Sequence, residues 1–442
     1  TTPREPKVKT KISYKTHIDK GDSRFQNGYY TLAVAEYTQA SKLEPTLAEP
    51  YIKIGNIYIV EKQYQKALEN FRIASQVEPN QIKPKLLIGQ TYIYLTEFDK
   101  AEKIFNTLSE EDPRLLYHRG LLNILYKKYD DAKFNLQKAY DLALAKGENG
   151  EAALAHNAGL LLSAFAKFAA SEGAQETYLR TLLAQKLSEI GQYTLAVQIS
   201  YDVLETNPEY RDIWLILGYS LLQLENYFDA ISSLKEAEKI DPTKPETLYF
   251  LGVALSEQGD QLEAINKFER AYKSGFEPAE TVVLKLAESY LKNEEYEKSV
   301  RYYEKLIDLT PENFDAFIKA IWLHLDFLKN EARAIELAKR AVKLHPNNAL
   351  SYNLLGWAET QNGELENAKA NLEKALEIDE NLAAAYLNLG IWYETQGNLP
   401  EAKANYFRAY NLEKATGIGQ KAGEKYNALV KQEATSTLPP TP

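Results

Sequence analysis

The stretch YIKIGNIYIVEKQYQKALENFRIASQVEP, Tyr51 to Pro79, holds no cysteine, no histidine and no glycine-rich loop. Starting thirty-four residues later, KLLIGQTYIYLTEFDKAEKIFNTLSEEDP, Lys85 to Pro113, repeats its pattern. Gly55 and Gly89 fall in register, as do Tyr58 and Tyr92, Ala67 and Ala101, Phe71 and Phe105, and Pro79 and Pro113. Self-similarity at a fixed period marks a chain built from stacked units.

The Ala position recurs at Ala33, Ala67, Ala101, Ala132, Ala196, Ala230, Ala264, Ser299, Ala334, Ala368 and Ala402. The steps are 34, 34, 31, 64, 34, 34, 35, 35, 34 and 34 residues. Glycine stands twelve residues earlier in eight copies, from Gly21 and Gly55 to Gly356 and Gly390; Ala184 and Ala287 replace it, and Trp322 breaks the rule. A second small residue follows seven later in most copies, as at Ala40, Ala74, Ala237 and Ala409. Within a copy, apolar residues recur at three- and four-residue spacings, the helical period. Pro or an acidic turn ends most copies, because Pro lacks the N–H that would continue a helix. Each copy therefore reads as two antiparallel helices, with small residues where the axes come closest. One pair cannot bury its apolar face alone and must stack on its neighbours into a solenoid.

This spacing and residue set resembles the tetratricopeptide repeat family, over Tyr14 to about Lys414. The resemblance implies an all-α, right-handed solenoid of about eleven helix pairs. The expected divisions are a basic arm at 1–13, repeats one to four at 14–146, an inserted Ala-rich helix within 147–176, repeats five to eleven at 177–416, a capping helix at 417–432 and a Thr/Pro-rich tail at 433–442. The 64-residue step holds the insertion: Glu151 to Ser171 is Ala, Leu and Phe with few polar interruptions, and so is expected to be buried. It is either a degenerate repeat that borrows its partner helix or an odd helix that changes the path of the array or fills its groove. Gly147 and Gly150 are read as a turn before it.

The 442 residues are 45% hydrophobic and 26% charged, with a formal charge of −10 and no Cys or Met. Acidic and basic residues mixed along the helices argue against a phosphate-binding surface, so nucleic acid is not an expected partner. No long apolar run is evident, so no membrane-spanning segment is expected. Without Cys there is no thiol chemistry and no Cys-based zinc site. Zero Cys and zero Met suit an oxidising space, and the two terminal segments read as tethers; an exported bacterial protein is the expectation, over a cytosolic one.

The five histidines are scattered and lack metal-ligand spacing, and GIGQKAGEK, Gly417 to Lys425, lacks the strand and the Gly-Lys-Ser/Thr ending of a phosphate loop. No nucleophile–base pair, cofactor site or metal site is read, and the chain is expected not to be an enzyme. The family resemblance implies that the first helix of each pair lines a concave face. By register, repeats two to four then present an apolar strip including Tyr94, Tyr117 and Leu121; the later repeats present Lys285, Lys319, Asn353, Trp357 and Asn388. The apolar strip is either packed internally by curvature or covered by a helix. The Lys/Asn/Arg clamp of co-chaperone members is not present, and Asn353 and Asn388 occupy different groove positions, unlike a regular Asn ladder.

The function expected is a non-catalytic scaffold or adaptor that docks a protein or peptide in a multiprotein assembly, of the bacterial cell envelope by family analogy (secretion, motility or polysaccharide export). Alternatives are a recruiting module of a larger enzyme or signalling protein, and a glycan-binding groove suggested by 31 tyrosines. The register carries its own test: Ala230→Leu should overpack a helix contact and lower stability by about 1–3 kcal/mol in denaturant titration. A wild-type midpoint would place Ala230 away from that contact.

Overall fold

In a computed structural model of the chain, each repeat is two helices joined by a two- or three-residue turn. The structure describes residues 13–108, 112–145 and 151–436. Most of the basic arm, residues 109–111 of the acidic SEED turn, the turn at Gly147 and Gly150, and the last six residues of the tail lie outside the described residues. Among the described residues every element is helical, and the chain forms two compact units divided between Asp241 and Pro242.

The first unit holds α1 (Tyr14–Gln26) with α2 (Tyr30–Leu43), α3 (Glu49–Val60) with α4 (Tyr64–Val77), α5 (Ile82–Tyr94) with α6 (Phe98–Asn106), and α7 (Pro113–Leu125) with α8 (Tyr129–Ala145). A single helix, α9 (Ala152–Ala169), follows, then α10 (Glu176–Glu189) with α11 (Tyr193–Leu204) and α12 (Arg211–Gln223) with α13 (Tyr227–Ile240). The second unit holds α14 (Pro245–Gln258) with α15 (Gln261–Lys273), α16 (Ala279–Lys292) with α17 (Tyr296–Leu309), and α18 (Phe314–Trp322), extended by a π-helical turn at Leu323–Phe327, with α19 (Glu331–Leu344). It ends with α20 (Ala349–Asn362) and α21 (Leu365–Ile378), α22 (Ala383–Thr395) and α23 (Leu399–Leu412), and the capping helix α24 (Gly417–Ser436). Eleven pairs, one extra helix and a cap are the elements the periodicity predicts.

All eleven residues at the repeating Ala position, Ser299 included, have no exposed surface. The glycine twelve earlier has an equally specific partner. A Cβ on Gly55 would stand 2.4 Å from the Phe71 ring, one on Gly218 2.5 Å from Leu234, and one on Gly390 2.4 Å from the Tyr406 ring. The large residue always lies four after the Ala, so the second helix of a pair seats a ring or Leu on the bare backbone of the first. Copies without the glycine adjust. Ala184 is matched by Ser200 at the large position, while Ser299, in place of the usual Ala, donates its buried hydroxyl to the Ala287 carbonyl at 2.8 Å.

Trp322 breaks the rule because α18 carries one extra residue. The N-cap Asn313 lies 35 residues before its counterpart Asn348, yet Ala334 lies 34 before Ala368. The surplus falls after Ile321, where the helix widens and Leu328 N–H reaches the Leu323 carbonyl at 3.0 Å. Counted from its N-terminus, the repeat puts Ile321 at the glycine position. Opposite it stands Ala338, where nine of the other ten copies have a ring or Leu and one has Ser200.

The turns inside the pairs share one backbone requirement. The residue five before the Ala has positive φ in all eleven: Gly in five copies, and Lys62, Thr96, Lys127, Glu225, Glu294 and Lys329 in the other six. A left-handed conformation at a non-glycine residue costs about 1–2 kcal/mol, a local strain that the packed pair must hold.

Sequence reading divides the chain at the insertion. The structure packs α9 in the array between α8 and α10, as a helix too apolar for water is expected to be, and the compact unit that holds it runs on to Asp241. Ala155, Ala158, Leu161, Ala164 and Phe165 are buried, but α9 is not buried all round as predicted: only 28% of it is inside, with His156, Ser163 and Lys167 in water. By length and composition alone α9 also qualifies as membrane-crossing, contrary to the expectation of no such segment; its neighbours α8 and α10 give it the setting of a helix in a packed array. Because α9 has no second helix of its own, the following pair enters out of phase. α11, the second helix of its pair, lies against α5 and α7, the first helices of earlier pairs. Lys62 and Glu225, from the second and sixth pairs, form an ion pair at 2.7 Å. Both ends are well exposed, so the pair reports proximity rather than stability.

The glycine–large residue contact predicts a coupling. Gly218→Ala should destabilise despite a helix-propensity gain of about 1 kcal/mol, and Leu234→Ala should cost about 2–5 kcal/mol as a cavity. The double variant should lose less than the sum by about 0.5 kcal/mol or more in urea titrations. Additivity would mean the two side chains do not compete for space.

Candidate functional site

The two halves of the predicted concave surface have different fates. In the first unit Tyr117 and Leu121 are buried at 3% and 0% exposure, because α9 and α11 both pack on α7. Tyr94 is half-buried, stacks on Tyr64 with ring centres 5.2 Å apart, and accepts a hydrogen bond from Gln90 at 3.1 Å. Burial pushes its phenol pKa up. The surface predicted for a partner at these three residues is therefore taken up by the chain itself.

In the second unit a cavity of about 290 Å³ lies among α18, α20, α22 and α24. Its walls are apolar: Ile318, Leu350, Leu354 and Trp357 on one side, Ala384, Leu387 and Ile391 on the next, and Ile418 from the capping helix. Asn353 and Asn388 also line it, and Lys421 of α24 supplies its single charged side chain. The cavity thus gathers three residues predicted for the groove, together with the cap.

Asn353 and Asn388 occupy different register positions, yet adjacent first helices bring them into contact. Asn388 Nδ2 donates to Asn353 Oδ1 at 2.9 Å, and both residues are over nine-tenths buried. That one bond leaves the Asn353 amide as a donor and the Asn388 carbonyl oxygen as an acceptor, without further partners among the described residues. Both atoms keep contact with the solvent in the cavity, and a ligand amide in place of that solvent would bond to both. Trp357 is half-buried and its indole N–H has no partner among the described residues. The two asparagines are consequently tied to one another rather than free on the surface, as the sequence suggests.

Lys285 and Lys319 lie outside the cavity. Lys285 pairs with Glu288 at 3.3 Å; Lys319 is exposed, 5.5 Å from the Trp322 ring centre, with no acidic partner. Sequence reading overlooked Lys421, since a lysine on a terminal helix carries no signal until packing sets that helix against α22 and α23.

The histidines serve packing and polar networks. His118 stacks on Phe105, and burial pulls it down to about 4, so it is neutral at physiological pH. His345 bonds to the Pro311 carbonyl at 3.0 Å, and His156 is on the exposed side of α9. His17 and His324 meet carboxylates that sequence spacing conceals, Glu36 at 2.6 Å and Glu304 at 2.7 Å. Among the described residues no three His, Cys, Asp or Glu side chains are placed to hold a metal ion.

The geometry defines a class: a helical-repeat protein with an apolar, amide-lined groove. Profiles described as TPR or tetratricopeptide repeats match residues 21–59 and 356–397, residues 58–125, and residues 181–245 and 284–349. The chain belongs to the tetratricopeptide repeat family, whose arrays serve as protein–protein interaction scaffolds. It is 26% identical over 203 residues to the BBSome complex member BBS4 homolog of Drosophila melanogaster, covering 45% of this chain and 40% of that protein. It is 24% identical over 179 residues to the human mitochondrial import receptor subunit TOM70, covering 39% and 29%. The matches thus span less than half the length of these curated relatives. Among solved structures, the C-terminal part of a TPR repeat-containing protein from Cytophaga hutchinsonii overlays with a TM-score of 0.43 at 16% identity, covering 55% of this chain and 98% of that one.

Glu304 offers a test of the polar network around the π turn. Burial alone would raise its pKa, but hydrogen bonds from His324 and Arg333 hold it at about 2, against an ordinary 4.5. A depressed acid contributes stability above its unfolded value that is lost as pH falls through its folded one. Glu304→Gln should therefore be destabilised at neutral pH, and its deficit should shrink between about pH 4.5 and pH 2. Urea midpoints of both proteins across that range check this; a constant deficit would remove the linkage.

Proposed function

We propose that the chain is a non-catalytic scaffold that docks a partner protein, by an extended segment of that partner, in the groove formed by α18, α20, α22 and α24. The observation that carries this reading is the buried Asn353–Asn388 pair, with one donor and one acceptor unspent at the floor of an apolar cavity. An extended segment offers the matching N–H and C=O together with a side chain for the cavity, the combination that peptide-recognising surfaces use. The names of the relatives, a complex member and an import receptor subunit, support a role in assembling or receiving other proteins. We place that assembly in the bacterial cell envelope, with the chain exported, on the absence of Cys and Met and the composition of its terminal segments.

A photoreactive residue replacing Trp357 in the native host should form a discrete protein adduct. The same residue at Glu373, exposed on α21, should not. Asn388→Ala should reduce the adduct without unfolding the array, since one hydrogen bond is worth only about 1 kcal/mol. Equal adducts from positions 357 and 373, or none from 357, would remove the groove as the docking surface. Fractionation of the same cells tests the exported location.

A further inference from the structure

The docking reading leaves the chemistry of the partner open, and the charges along the groove narrow it. Counted from the glycine position of each repeat, with Ile321 as that position in α18, one place recurs two residues earlier. It holds Lys285 in α16, Lys319 in α18, Leu354 in α20 and Asn388 in α22. Leu354 and Asn388 line the cavity, so the register puts the two lysines on the same face of the preceding first helices. At the other end of the stripe stands Lys421, the charged member of the cavity wall.

These cations are poorly neutralised from within. Among the described residues, Lys319 and Lys421 are exposed and have no acidic ion-pair partner, while Lys285 pairs with Glu288. Asp326, the nearby carboxylate on the π turn, accepts the Trp322 indole N–H at 3.0 Å and keeps its negative charge. Three lysines against Glu288 and Asp326 leave a surplus of one positive charge along the stripe, in a chain whose formal charge is −10. General surface composition therefore does not account for it, and a partner of opposite charge does.

We propose that the groove of the second unit takes an extended acidic segment, in which an apolar side chain fills the cavity and Asp or Glu side chains on either side of it meet Lys319 and Lys421. The main-chain amide of the segment pairs with the unspent atoms of Asn353 and Asn388. Acidic side chains are the source of the charge, so the segment need not end at the groove. This rests on the docking reading above.

The test uses the full chain and short, fluorescently labelled, end-blocked peptides. A peptide alternating Glu and Leu should bind, and its affinity should fall as salt rises. Replacing Glu by Lys should abolish binding, and replacing Leu by Ser should weaken it. The double variant Lys319→Glu, Lys421→Glu should weaken the acidic peptide at least about tenfold, or about 1.4 kcal/mol. Both sites are exposed, so its melting temperature should match wild type and a loss of binding is read apart from a loss of fold. Equal binding of the Lys peptide, no binding of the Glu peptide, or an unaffected double variant would each overturn the acidic assignment. The photo-adduct from position 357 separates the two levels. An adduct that persists undiminished in the double variant keeps docking and discards acidity; absence of both adduct and peptide binding discards both.

Discussion

The close approach of two helix axes at one glycine per pair is the constraint on which the rest depends. A ring or Leu from the second helix lies where a Cβ would be on the first, as with Phe71 over Gly55 and Tyr406 over Gly390. This contact sets the distance and the register of each pair, and hence the side chains that the first helix turns toward the groove. Small–large complementarity is a volume condition rather than a residue condition, because interiors pack at near-crystalline density. That is why Ser200 can attend Ala184, and why Ala338 can stand opposite Ile321 without loss of the array. The left-handed residue in each turn follows from the same closeness: helices this near need a short connection, and the strain at Lys62 or Glu294 is tolerated to keep it short.

Two departures from the period shape the molecule's surfaces. One extra helix, α9, changes which layer faces inward, so α11 lies on α5 and α7 and the apolar strip around Tyr117 and Leu121 becomes interior. One extra residue in α18 is absorbed as a π turn, a device common near functional sites. It sets His324 and Arg333 around Glu304, and it leaves Lys319, which precedes it, in the stripe shared with Asn388. An inserted helix and an inserted residue thus act on different scales. The first redirects the array within its unit, and the second re-aims a few side chains.

The groove of the second unit joins features that would each be unremarkable alone. Apolar walls are ordinary in a helical array, and a lysine on a terminal helix is ordinary on a surface. Their conjunction over two asparagines that present one donor and one acceptor to the same cavity is not. The capping helix does more here than cover the apolar end of the last pair. Its Ile418 and Lys421 complete the cavity, while Lys425 bonds to Glu394 at 2.9 Å and Lys403 to Glu433 at 2.6 Å, tying α24 to α22 and α23.

The sequence by itself determined the eleven pairs, the burial of every residue at the Ala position, the extra helix and the cap. Each is a local periodic signal, and helices whose neighbours are adjacent in sequence need no long-range information to pack. It also singled out Asn353, Trp357 and Asn388 by register. It did not separate the interior strip at Tyr117 and Leu121 from an open groove, because burial there comes from α9 and α11, helices that lie beyond their own repeat. Nor did it reveal the bond between Asn353 and Asn388, which sit at unlike positions of their repeats, or bring Lys421 to them. Those facts were decided only by tertiary structure: periodicity tells a helix which face to bury, whereas what covers that face depends on where distant helices come to rest.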